Sequence, residues 1–93
     1  MRLPIDECID ERLRHEFWGH DCQTARYAKL AGLTNGKLLS EAERAGFDVL
    51  ITVDQIISNQ QNLSDRKISL LVLCAVTNRL RDLVPLIPAA LAP

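Results

Sequence analysis

Five carboxylates stand where they could share chemistry. Asp6, Glu7, Asp10 and Glu11 crowd into the stretch IDECIDE at residues 5–11, directly behind the apolar run Leu3-Pro4-Ile5, and Asp54 ends a second apolar run, Val49 to Val53. Carboxylates held in one pocket repel one another unless protons or a cation compensate, and their natural partner is a hard divalent ion such as Mg2+ or Mn2+. An acid that closes an otherwise aliphatic strand is placed at an energetic cost, which favours a role for Asp54 beyond capping a turn. Asp10 and Glu11 have a plainer use. Acids in the first turn of a helix are favoured by its dipole by about 0.3–1 kcal/mol each. Asp10 is also spaced to pair with Arg14, as Glu7 is to face Glu11.

Chemistry of this kind needs elements that bring residues 6 and 54 together. Leu3 to Ile5 predicts a brief strand, with Pro4 tolerable near a strand start or where its missing N–H is not needed. Ile9, Leu13 and Phe17 predict a helix ended by Gly19. Asp21 to Ala25 predicts a short second strand, followed by the loop Arg26 to Leu33. Thr34 or Asn35 can cap a second helix carrying Leu38, Leu39, Ala42 and Ala45, and Gly46 ends it. Val49 to Val53 and Ile68 to Cys74 suit strands buried on both faces, with the polar segment NQQNLS between them. Leu80, Leu83, Val84, Ile87 and Leu91 form a last helical stripe that Pro85 and Pro88 must restart or kink.

Strands alternating with crossovers predict an α/β domain in three layers, with a short, mainly parallel four-stranded sheet in the order 2-1-3-4. That order sets the first and third strands side by side. Asp6, Glu7 and Asp54 then meet at the carboxyl edge, where open parallel sheets collect ligands.

The 93 residues suit one small domain spanning 1–93, and 47% hydrophobic with 25% charged residues is the balance of a folded globule. A net charge of −1 provides no global field for nucleic acid, so any such contact rests on local Lys and Arg. Cys8, Cys22 and Cys74 lack CxxC spacing and are expected as small buried apolar residues in a reducing compartment. No membrane span or signal core stands out, and the protein is expected in the cytoplasm. His15 and His20 are expected at the surface, and the serines have no His and Asp placed to form a nucleophilic triad. Trp18, Tyr27, Leu30 and Leu33 fall in or near loops, where leftover apolar surface marks a partner or a second copy of the chain.

With IDECIDERL after the first strand, GHDCQT before the second loop, GLTNGKLLSEAERAGFDVLITVDQ through the third strand and QQNL beyond it, the sequence resembles the small PIN-like proteins. These are compact relatives of PIN-domain ribonucleases, suspected toxins of toxin–antitoxin pairs. The resemblance implies a PIN-like fold in which Asp6 and Asp54 are the central metal-binding and catalytic acids, with Glu7 as helper. It implies Mg2+ or Mn2+ as cofactor and RNA phosphodiesters as substrate, with a 5′-phosphate and a 3′-hydroxyl as products. An antitoxin protein or a homodimer is the implied partner. Where many relatives carry a further acid this chain has Asn35-Gly36, which leaves Asn35 and the more distant Glu41 as additional candidates. Arg26, Lys29, Lys37, Asn78 and Arg79 are placed to neutralise phosphates. A PIN-like interaction module with little activity is the alternative. A receiver-like domain that takes phosphate on Asp54 also fits the acids, although no Lys follows Cys74.

Overall fold

Three apolar runs and the mixed stretch Asp21–Thr24 become four parallel strands. The computed structural model describes residues 1–33, 35–53, 66–74 and 79–88. The strands are β1 (Arg2–Ile5), β2 (Asp21–Thr24), β3 (Val49–Thr52) and β4 (Ser69–Val72), hydrogen-bonded in the order β2-β1-β3-β4. The parallel order 2-1-3-4 expected from the sequence is therefore present. A 3-10 helix (Glu11–Glu16) follows β1, α1 (Asn35–Arg44) joins β2 to β3, and α2 (Leu80–Leu83) runs into a 3-10 turn at Val84–Leu86. No described helix is long and apolar enough to cross a membrane.

Alternation along the strands sends neighbouring residues to opposite faces, and each face acquires its own core. Leu3, Ile5, Ile51 and Leu73 pack with Ile9, Leu13, Phe17, Leu83 and Ile87 on one side. Leu50 and Ile68 pack with Leu38, Leu39, Ala42 and Phe47 on the other. Burying a Leu or Ile side chain contributes about 1.5–3 kcal/mol, so both helical layers are held by the sheet they cover. The sequence confined Pro4 to a strand start or an unneeded N–H, yet Pro4 lies on an inner strand. Arg2 O accepts from Asp48 N–H at 2.9 Å and Asp6 N–H donates to Ile51 O at 2.8 Å, both toward β3. Alternation turns Pro4 the same way, so its missing donor falls on the β1–β3 seam, where Ile5↔Ile51 is the register pair.

At the amino edge, Arg2 closes the seam. Its N–H donates to Asp48 Oδ2 at 2.8 Å, its guanidinium donates to Ala45 O at 3.0 Å, and it lies 4.6 Å from the Phe47 ring centre. Gly46, at φ +86°, allows the turn that brings these groups together, as its place after the second helix implies.

Several local expectations are corrected. The first helix is 3-10 rather than α: Asp10 caps it by accepting Arg12 N–H, and Leu13 N–H bonds Asp10 O. With its carboxylate folded over that first turn, Asp10 pairs with Arg12 instead of Arg14. Leu30 is buried in the second core and Leu33 packs against it, because the β2–α1 loop folds inward. The cysteines are not core residues: Cys8 and Cys74 are exposed and Cys22 is half-buried, since Cys8 sits in the turn after β1 and Cys74 beyond β4. Asp54, Asn78 and Leu91 lie outside the described residues.

Candidate functional site

Asp6 is the first residue beyond β1, and three hydrogen bonds fix it. Its N–H extends the ladder to Ile51 O, its C=O accepts from Ile9 N–H at 3.0 Å, and its Oδ2 accepts from Thr52 Oγ1 at 2.8 Å. Thr52 is fully buried at the end of β3. A hydroxyl at that place would be unsatisfied in an apolar strand end, and the carboxylate satisfies it. The two central strands thus each send one polar side chain to the same point on the carboxyl edge. Sequence reasoning missed Thr52 as a site residue, although a hydroxyl inside the aliphatic run VLITV was its signal.

Glu7 is held differently. Both its carboxylate oxygens lie within reach of the Gly32 N–H, at 3.2 and 3.3 Å. Gly32 takes φ +82°, a conformation that glycine adopts at little cost, and the contact ties the β2–α1 loop to the turn after β1. Between these elements lies a pocket of about 150 Å3 lined by Asp6, Glu7, Glu11, Thr24, Arg26 and Ala31, among others. At a liquid share of about 30 Å3 per molecule, it has room for roughly five waters or a small hydrated ion. Glu11, expected to serve only the helix, faces this pocket, and Arg26 supplies the cationic wall.

Cys8 adjoins the same point. The residue as a whole is exposed, yet its thiol is shielded against Asp6, Thr52 and the Val53 backbone. Burial, ahead of the Asp6 charge, pushes its pKa up, so the thiol stays protonated near neutrality.

The other candidates are dispersed. Lys29 is exposed in the β2–α1 loop at φ +63°, and Lys37 is exposed on the first turn of α1. Asn35 begins α1. Glu41 is six residues further, about 9 Å along the axis, where it approaches Arg44 at 4.0 Å. Arg79 lines a separate open groove of about 650 Å3 with Arg12, Arg81, Leu80, Val84 and Pro85.

The donors at the pocket are oxygen ligands of the kind that hard ions take. Among the described residues, no three His, Cys, Asp or Glu side chains come close enough to hold a metal ion. A divalent site built on Asp6 and Glu7 would need a further acid, and in the sequence Asp54 stands two residues past the end of β3. Compared with family models, curated proteins and solved structures, the chain matches none.

Proposed function

We propose that this protein is a PIN-like, Mg2+- or Mn2+-dependent ribonuclease, with Asp6 and Asp54 as the metal-holding acids. The observation that supports the reading most directly is the position of Asp6 at the carboxyl edge of the two central parallel strands, with its carboxylate oriented by buried Thr52 beside a pocket also lined by Glu7, Glu11 and Arg26. A divalent ion bound there supplies an activated water and offsets the charge that grows on a phosphodiester during attack.

The protein's own groups have separable roles. Thr52 donates to Asp6 and orients its carboxylate before a cation arrives. Arg26 lines the same pocket and can neutralise a phosphate that binds there. Glu7, committed to Gly32, keeps the β2–α1 loop against the pocket, and it positions this loop before it serves as a ligand. RNA is the substrate class and the cytoplasm the expected compartment; the toxin of a toxin–antitoxin pair is the biological role this chemistry suits.

The test combines binding with cleavage. Mn2+ should raise the melting temperature of the wild type in proportion to the logarithm of its concentration above Kd, and the Mn2+-loaded protein should cleave single-stranded RNA to 5′-phosphate ends. Asp6→Asn/Asp54→Asn should lose both effects. An equal Mn2+ shift in the wild type and the double variant would sink the site. Transfer of phosphate from a small phosphodonor to Asp54 would instead favour a receiver-like domain.

A further inference from the structure

β2 stands at one end of the sheet order and pairs with β1, so its outer edge carries no strand among the described residues. The ladder shows which groups that edge presents. Asp21 N–H donates inward to Met1 O at 2.9 Å, and alternation turns Gln23 inward as well, with Cys22 and Thr24 facing out. The edge therefore offers Cys22 N–H, Cys22 C=O and Thr24 N–H. Thr24 O accepts from Ala28 N–H at 3.0 Å and retains a second lone pair.

Sheets usually guard such an edge with Lys or Pro. β2 reads Asp-Cys-Gln-Thr and has neither. Three residues before it stands Trp18, 78% exposed, and three residues after it stands Tyr27, 76% exposed. Alongside runs a groove of about 700 Å3 whose charged walls are Glu11, Arg14, Asp21 and Arg26. Two acids and two arginines leave that groove with no net charge. A polyanion gains nothing from it, while two identical grooves approach without repulsion.

We infer that the occupant of this edge is a second copy of the chain, with β2 pairing antiparallel to β2 about a two-fold axis through Gln23. In that register Cys22 of each strand faces Thr24 of the other, and the outward donors and acceptors meet reciprocally. Antiparallel pairing also exchanges the ends, which brings Trp18 of one copy toward Tyr27 of the other. The two largest exposed aromatic surfaces are then covered together, as interface anchors commonly are. The result is one continuous sheet of eight strands, from β4 of one copy to β4 of its partner. Nothing in this assembly depends on the nuclease proposal.

Trp18 is the sole tryptophan, so its emission reports the contact directly. Sedimentation and fluorescence from about 0.1 to about 100 µM should show a monomer becoming a dimer, with a blue shift over the same range. Gln23→Lys sets two like charges on the axis and should stay monomeric with red-shifted emission, while melting at low concentration near the wild type. Tyr27→Ala should weaken association about tenfold. Cys22→Ser/Gln23→Cys should form a disulfide-linked dimer under mild oxidation, because opposed residues of a non-hydrogen-bonded pair lie about 4.5 Å apart at Cα, within disulfide range. A wild type that remains monomeric at the highest concentration overturns the inference, as does one that associates no better than Gln23→Lys. Failure of Cys22→Ser/Gln23→Cys to cross-link while its dimer persists overturns the register.

Discussion

Asp6 and Asp10 are the same residue type four positions apart, and the chain uses them in opposite ways. Asp10 takes all its donors from Arg12: the backbone N–H at 2.9 Å and the guanidinium at 3.0 and 2.7 Å. Those hydrogen bonds hold its carboxyl at about 2, well below the usual carboxylate range, although the pair lies in water. Asp6 takes its side-chain donor from Thr52, 46 residues away and fully buried. A carboxylate bound by near neighbours on the surface serves local structure, and water screens most of its value. One bound from a distant buried strand is part of the tertiary packing, and its orientation is set by the fold.

The sharpest way to break this contrast is to neutralise each acid. Asp6→Asn keeps an acceptor for Thr52 and should leave the fold intact, while RNA cleavage falls at least about 100-fold. Asp10→Asn should cleave near the wild-type rate. Equal losses in both would erase the distinction. Next comes the donor: Thr52→Val removes the hydroxyl from a buried site and leaves the partly buried carboxylate without it, at a cost of about 1.5–3 kcal/mol in urea unfolding. An unchanged midpoint would mean that the Asp6–Thr52 bond contributes nothing to the fold.

Glu7→Ala should have a smaller effect, because its partner is one loop amide. Faster hydrogen exchange at Gly32, with little change in melting temperature, is the expected signature. The pH dependence of Asp10 is subtler still. Its folded pKa is depressed from 3.8 to about 2, so its contribution is complete above the unfolded value and disappears as pH falls through about 2. Melting curves of the wild type and Asp10→Ala should differ at pH 6 and converge below about pH 2. The smallest effect concerns the thiols. Burial pushes Cys22 up to about 11, so at pH 8 it should alkylate more slowly than exposed Cys74.

Three of the strands are legible in the sequence as apolar runs, whereas β2, which reads Asp-Cys-Gln-Thr, is marked mainly by Gly19 before it and by its weak alternation. Asp6 is legible from the first of those runs: an acid directly behind it has to emerge at the carboxyl edge. Its partner is harder to see. Thr52 looks like any β-former in VLIT, because the adjacency of β1 and β3 does not say which side chains their register brings together, and the Glu7–Gly32 contact joins two loops that share no periodicity. Asp10 pairs with Arg12 and not with Arg14 because a four-residue spacing belongs to an α-helix, whereas the N-cap geometry folds the carboxylate onto the first turn. Leu30 reads as leftover surface because a loop sequence carries no sign of folding inward. Pro4 shows the limit of composition rules: an inner strand tolerates it where Arg2 and Asp6 carry the hydrogen bonds on either side.

The Arg2 clasp at the amino edge has a consequence for the order in which the molecule can form. Every strand pairing among the described residues is parallel, and β1 must wait for partners that come later in the chain: β2 at residue 21 and β3 at residue 49. As the polypeptide leaves the ribosome, the side of β1 that pairs with β3 therefore stays open until residue 49 and those after it have followed. Such long-range closure slows folding and exposes an adhesive segment meanwhile. Arg2 can fasten only after Ala45, Phe47 and Asp48 have arrived, so its contacts belong to a late stage of assembly. Arg2→Ala should then accelerate unfolding far more than it retards folding, and the rest of the sheet should assemble at nearly its usual rate.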